Sequence, residues 1–251
     1  MQPSSKLNLS ITPDQIKSTT IYSLSGRFYA INFILLAILG LAFLLWSRHE
    51  NLDIAISRMW FDAQTARFPW QHNRWLDLVN HRLVKDVIIA GAILLLLRGI
   101  QRRHGRYVLV ALLFGLGPLV VGVLKAHSAH SCPWDLAMFG GKAESFVLLD
   151  SVPANSGPGQ CFPGGHASSG FSLMALFFLW WPERPRRALV ALLVGITVGL
   201  LMGYGQVMRG AHFFSHNLWA GWWVWLTQVV VFAGFSFCLN QLRTRNHHGS
   251  A

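Results

Sequence analysis

The chain has 251 residues, 53% of them hydrophobic and only 12% charged, with a positive mean hydropathy. A soluble domain of this length is rarely so apolar, which argues against a water-soluble globule and for a membrane protein. The formal net charge of +11 raises nucleic acid as a partner, but the basic residues gather in short segments between apolar runs, so membrane topology explains them and no nucleic-acid surface is expected.

Residues 1–26 read as a polar arm, with Lys6 and Lys17 ahead of Arg27 and the first apolar run, Phe28 to Trp46. No small-residue cleavage site follows Trp46, so this run is expected to remain as a helix. Between Arg48 and Lys85, residues such as Ile54, Trp60, Phe61, Phe68, Trp70, Trp75 and Leu78 alternate with charges. That pattern suggests short amphipathic helices lying in the membrane interface, where Trp is favoured, with a packed cap as the alternative.

Further apolar runs follow at Val87 to Leu97, Tyr107 to Leu124, Ala167 to Trp181, Ala188 to Val207 and Leu218 to Leu239. A bilayer core of about 30 Å needs roughly 20 residues per helix, and the sequence predicts six spans on that basis. The Val87 run is the shortest; it spans if Leu83, Val84 and the stem of Lys85 extend it and flanking charges snorkel. Arg98, Arg102, Arg103 and Arg106 fill one connection, Arg184, Arg186 and Arg187 another, and Arg243 and Arg245 follow the last run. By the positive-inside bias these segments and both termini are cytoplasmic. The expected architecture is therefore all-α and polytopic: a six-helix membrane domain over 27–241 and a cytoplasmic tail over 242–251.

The remaining connections face outward and hold the residues with chemical potential. The stretch from His127 to Gly165 is long and rich in Gly, Pro and Ser, which points to function or disorder. Cys132 and Cys161 share it and can form a disulfide in an oxidising compartment, two free buried thiols being the alternative. Lys125 closes the third run, His166 opens the fourth, and Arg209, His212 and His216 lie between the fifth and sixth. Separations of 41 residues from Lys125 to His166 and 46 from His166 to His212 collapse into one neighbourhood once the helices pack. Such a cluster offers cations for phosphate oxygens, a nucleophile and an acid for a leaving oxygen, the parts needed for phosphoryl transfer through a covalent intermediate.

Three motifs stand in this region: Lys125-x6-Cys132-Pro133, Pro163-Gly164-Gly165-His166, and Gly205-Gln206-x5-His212-x3-His216. In order, spacing and topology they resemble the motifs K-x6-R-P, P-S-G-H and S-R-x5-H-x3-D of the type-2 phosphatidic acid phosphatase superfamily of membrane lipid phosphatases. The resemblance implies a nucleophilic histidine at His212 that forms a phosphohistidine, a leaving-group acid at His166 and a phosphate-binding lysine at Lys125. The backbone N–H groups of Gly164 and Gly165, at a helix N-terminus, offer an anion-binding nest.

Both family arginines are missing, with Cys132 and Gln206 in their places. Arg209, one helical turn beyond Gln206, is the expected substitute, with His127 or His130 as further donors. His216 stands where the family has the aspartate that orients the nucleophile; a neutral imidazole can accept a hydrogen bond there, or Asp135 serves instead.

His212 and His216 also show the i,i+4 spacing of a metal-binding face, but no Cys or carboxylate completes the set at a familiar spacing, so neither metal nor other cofactor is expected. The Trp-rich sixth run reads as a lipid or core face. The expectation is a phosphatase of lipid monophosphates or diphosphates in the outer leaflet of a bacterial cytoplasmic membrane. By the family's range its substrate is undecaprenyl diphosphate, phosphatidylglycerol phosphate, phosphatidic acid or lipid A. Phosphotransfer to a second lipid from the same site, and a non-catalytic phospholipid-binding or transport protein, are the alternatives.

Overall fold

A computed structural model describes residues 24–248, excluding the side chains of 79–81 and 239–248. The N-terminal arm thus lies almost wholly outside the described residues, as do 249–251 of the tail and the side chains of Lys6, Lys17, Arg243 and Arg245. Regular structure among the described residues is entirely helical; two isolated bridges, Asp62 with Arg67 and Leu136 with Ala143, pin loops rather than build strands.

Helix α1 spans Gly26–His49, with the Ser25 hydroxyl accepting from the Phe28 N–H at its start. A short α2, Asn51–Arg58, follows at once. A π-helical stretch, Leu76–Leu83, runs straight into α3, Val84–Gln101, and α4 spans Gly105–Ala126. The chain then crosses the long loop to α5, Gly165–Phe171, which passes through a 3-10 segment, Ser172–Leu176, into α6, Phe177–Trp180. Pro185 opens α7, Pro185–Met208, in the first turn, where its missing N–H costs no intrahelical bond, and α8 runs Phe214–His248.

Among the described residues, four helices are long and apolar enough to cross a membrane: α1, α4, α7 and the Phe214–Cys238 part of α8. Six were expected, and the other two runs are not among these four. Helix α3 has 18 residues, about 27 Å of rise, and carries Lys85, Asp86 and Arg98. The Ala167 to Trp181 run is divided into α5, the 3-10 segment and α6, none longer than seven residues. The last helix also continues into the region expected as tail.

The tryptophans of α8 hold α1 in place. Trp219 Nε1 donates to Ser47 Oγ at 3.0 Å, Trp222 Nε1 to the Leu36 carbonyl at 2.8 Å and Trp225 Nε1 to Asn32 Oδ1 at 3.0 Å. These part-buried N–H groups are satisfied by the neighbouring helix, so this row is a helix–helix seam. At its far end, Phe178 stacks on Phe232 at 4.5 Å and on Trp225 at 5.6 Å within one hydrophobic cluster. Beside that cluster Arg106 is 5% exposed and pairs with Glu183 through two contacts of 3.1 and 3.3 Å, tying α4 to the turn before α7.

Between α2 and the π stretch, a packed cap replaces much of the expected interfacial layer. Phe68, Leu136, Phe139, Ala143 and Phe213 form a buried cluster joined by Ile54, Trp60, Phe61 and Trp134. Trp70, Trp75 and Leu78 stay exposed beyond it.

Candidate active site

Two turns set the site. At the end of α7 the Ala211 N–H bonds back to the Gln206 carbonyl and the Gly210 N–H to the Val207 carbonyl, both at 2.9 Å, with Gly210 left-handed at φ 72°. This is a Schellman ending, and it delivers His212 two residues later. The Gly210 carbonyl accepts from the Trp134 N–H at 3.0 Å, so the long loop is fastened to the same turn. At the start of α8 the Ser215 N–H donates to Asp53 Oδ1 at 2.9 Å, across 162 residues of sequence.

Asp53 is 3% exposed, and it supplies from α2 the N-terminal cap that α8 lacks locally. Burial pushes its carboxyl up, against the hydrogen bonds from Ser215, which lower it. Asp53→Ala is expected to destabilise the protein by about 1–2 kcal/mol, read as a lower melting temperature in detergent.

The long loop closes over this frame through the Cys132–Cys161 disulfide, whose Cα atoms are 5.2 Å apart. The Cys161 carbonyl faces His212 Nδ1 at 2.8 Å. Because a carbonyl only accepts, Nδ1 carries the proton and Nε2 keeps its lone pair. His212 is 2% exposed, and burial first, then the neighbouring His216, His166 and Lys125, push its pKa well below the ordinary 6.5. It is therefore a neutral imidazole of fixed tautomer at neutral pH.

His166 lies at the head of α5, its ring centroid 6.2 Å from that of His212. A Cβ placed on Gly165 would lie 3.9 Å from Lys125 Nζ, which brings the ammonium at the end of α4 against the Pro163-Gly164-Gly165-His166 turn. His166, His212 and Lys125 thus lie in one neighbourhood.

Gly164 donates its N–H to the His216 carbonyl at 2.8 Å, so of the two amides expected to cradle phosphate this one is already used. A Cβ on Gly164 would collide with Asn217 Oδ1, and Asn217 Nδ2 is itself bound to the carbonyls of Gly203 and Phe213 at 3.2 and 3.1 Å. That contact explains why glycine stands where the resembling motif has serine.

The other expected residues are placed differently. His216 lies against Phe162 and Phe213, with ring centroids 5.3 and 5.4 Å away, and its centroid is 6.0 Å from that of His212. The proton on His212 Nδ1 goes to the Cys161 carbonyl, where His216 was expected to receive it. Asp135, the other candidate, accepts from Trp134 Nε1 at 3.1 Å. Gln206 is 1% exposed, and its Nε2 has no hydrogen-bond partner among the described residues. Arg209 donates from Nε to the Gln71 carbonyl at 3.1 Å and lies 3.8 Å from Asp77, lining a separate cleft. His127 Nδ1 meets the Val123 carbonyl at 2.8 Å, and His130 stacks on Phe146 at 4.1 Å.

Cys161, His212 and His216 bring possible metal-ligand atoms within 4.8 Å of one another. The Cys161 sulfur is spent in the disulfide, so this trio contains no thiolate and its donor set is two imidazoles, which fits a structural zinc site poorly.

Beside the turn runs an apolar groove of about 530 Å³ bounded by Val123, Leu124, Phe146, Leu149, Phe162 and Trp223. It joins the ends of α4 and α8 to the long loop.

One end of a helical membrane scaffold thus gathers Lys125, His166 and a His212 whose tautomer is fixed by the Cys161 carbonyl. The PAP2 superfamily profile matches residues 106–240, more than half of the 251, and the chain belongs to that superfamily. It is similar to a lipid A 4'-phosphatase of Francisella tularensis subsp. novicida (strain U112), 24% identical over 196 residues that cover 73% of this chain and 86% of that protein. No solved structure matches.

Proposed function

We propose that the protein hydrolyses a lipid phosphate or diphosphate at the outer face of a bacterial cytoplasmic membrane, through a phosphohistidine on His212. The observation that carries this reading is the bond between His212 Nδ1 and the Cys161 carbonyl, which leaves Nε2 as the unprotonated nitrogen beside Lys125 and His166. Nε2 attacks phosphorus, the bond from phosphorus to the lipid oxygen breaks, and that oxygen takes its proton from His166. Water then attacks the phosphohistidine with His166 as base, releasing phosphate and restoring both histidines. Lys125, the Gly165 amide and the buried Gln206 Nε2 are the donors assigned to phosphate oxygens; a phosphate oxygen would supply the acceptor that Gln206 lacks. His216 lines the back of the nucleophile as an aromatic neighbour. The apolar groove holds part of the lipid chain. The name of the Francisella relative supports a phosphorylated lipid as substrate class.

The test is phosphate release by purified, detergent-solubilised protein from a panel comprising phosphatidic acid, phosphatidylglycerol phosphate, undecaprenyl diphosphate and lipid A, with EDTA present. Release from at least one lipid supports the reading; no release from any rejects it. The lowered pKa of His212 adds a sign to the pH profile. A nucleophile must be unprotonated, and burial keeps His212 so below its ordinary value, so the acid limb of kcat/KM falls below pH 6.5. A limb at or above that value would mean a different group is limiting.

A further inference from the structure

Outside the catalytic turn, the π stretch and the end of α7 enclose a cleft of about 650 Å³ that the proposed chemistry does not use. Among the described residues its lining contains Arg74, Arg82 and Arg209 with His72, against a single carboxylate, Asp77. Asp77 sits 3.0 Å from Arg82 and 3.8 Å from Arg209, so one negative charge is divided between two guanidinium groups and the cleft keeps a net positive charge. Arg209 is held firmly, its side chain 15% exposed and its Nε bound to the Gln71 carbonyl, while the Arg82 side chain is 67% exposed at the mouth. Trp75 and Leu78 line the same cleft and are 73% and 53% exposed, an apolar edge suited to the interfacial zone of a bilayer.

The cleft is also close to the chemistry. Arg209 caps α7 and His212 follows three residues later, so their Cα atoms are at most about 11 Å apart even with the chain fully extended. The Schellman ending makes the real separation shorter.

We infer that this cleft binds a second anionic group, a phosphate or carboxylate, on the same lipid headgroup whose phosphate is cleaved at His212. The inference rests on the phosphatase reading above and names the class of lipid: a headgroup bearing two negative groups. Guanidinium groups suit this task because their planar donors engage phosphate and carboxylate in pairs. Arg209, the expected substitute for a motif arginine, here serves the remote anion.

The test uses full-length protein in a neutral detergent and a synthetic acylated disaccharide with one phosphate on each sugar, compared with its two matched monophosphates. The expected result is a kcat/KM for the bisphosphate higher than for either monophosphate by on the order of tenfold, and collapse of that ratio toward one in the double variant Arg74→Gln/Arg82→Gln. Equal rates on all three lipids in the wild type would overturn the inference without any variant, as would a ratio unmoved by the double substitution. Adding phosphatidylglycerol as a bystander separates two sources of the anion: if it restores monophosphate turnover to the bisphosphate rate, the cleft reads a neighbouring lipid and the same-molecule inference falls. Failure of the wild type to release phosphate from any of the three would overturn the phosphatase reading and this inference together, whereas release without discrimination removes only this one.

Discussion

His212→Ala is expected to abolish phosphate release, by ~10³–10⁶-fold, while leaving a folded protein. The loss should be this large because the proposed route has no second nucleophile. His166, with its ring centroid 6.2 Å away, is assigned to proton transfer, and Cys161 is held in a disulfide. Removing the ring empties a buried site next to Cys161, Lys125 and His216, so a modest fall in melting temperature should accompany the loss. His212→Gln separates the two effects: it refills the space without supplying an imidazole. Melting should return toward wild type while activity stays absent. Phosphate release at more than a few per cent of wild type in either variant would remove His212 from the nucleophile's role.

Gly210→Ala is the second large effect, and it acts through geometry. Gly210 holds φ at 72°, and a Cβ there would overlap the Phe68 ring, which is 3% exposed and fixed among Phe61 and Phe139. Left-handed backbone costs a residue with a Cβ about 1–2 kcal/mol, and an overpacked core about 1–3 more. The ring cannot retreat without dismantling the cap, so the turn must shift, and His212 and the Gly210–Trp134 bond move with it. A drop of about 2–5 kcal/mol in stability together with loss of most activity is therefore expected. Gly115→Ala is the control, since a Cβ there meets nothing within 4 Å, and it should melt at or slightly above the wild-type temperature. If Gly210→Ala melts and turns over like wild type, the Schellman turn does not position the nucleophile.

The placement of the residues proposed to act through their side chains follows from their positions along the chain. Lys125, His166 and His212 stand at helix ends, and any antiparallel packing of apolar helices brings such ends together. The disulfide was readable as one of two options because both cysteines share a loop. What orients His212 was not readable, because the acceptor is the Cys161 backbone carbonyl and every residue type supplies one. The motif position pointed to His216, but a position in a motif does not show which way a ring turns. Asp53 was invisible for another reason: it caps α8 from α2, and no local pattern links residues 162 apart.

The count of spans was only partly legible, since hydropathy treats Ala167 to Trp181 as one run while the backbone divides it at Ser172–Leu176. The same limit applied to the stretch around Ile54 and Phe68. Its alternation of apolar and charged residues is equally compatible with lying on lipid and with packing under a loop, and contacts with Leu136, Phe139 and Phe213 decide for packing.

The most direct test of the central claim is to trap the intermediate. Wild-type protein mixed with a turned-over lipid phosphate in EDTA, quenched in alkali within one turnover and digested, should yield a peptide carrying a phosphoryl group on His212. That group should be stable in base and lost in acid, and it should be absent from His212→Gln. A quenched enzyme that carries no phosphoryl group while releasing phosphate, or one phosphorylated on a residue other than His212, would contradict the account.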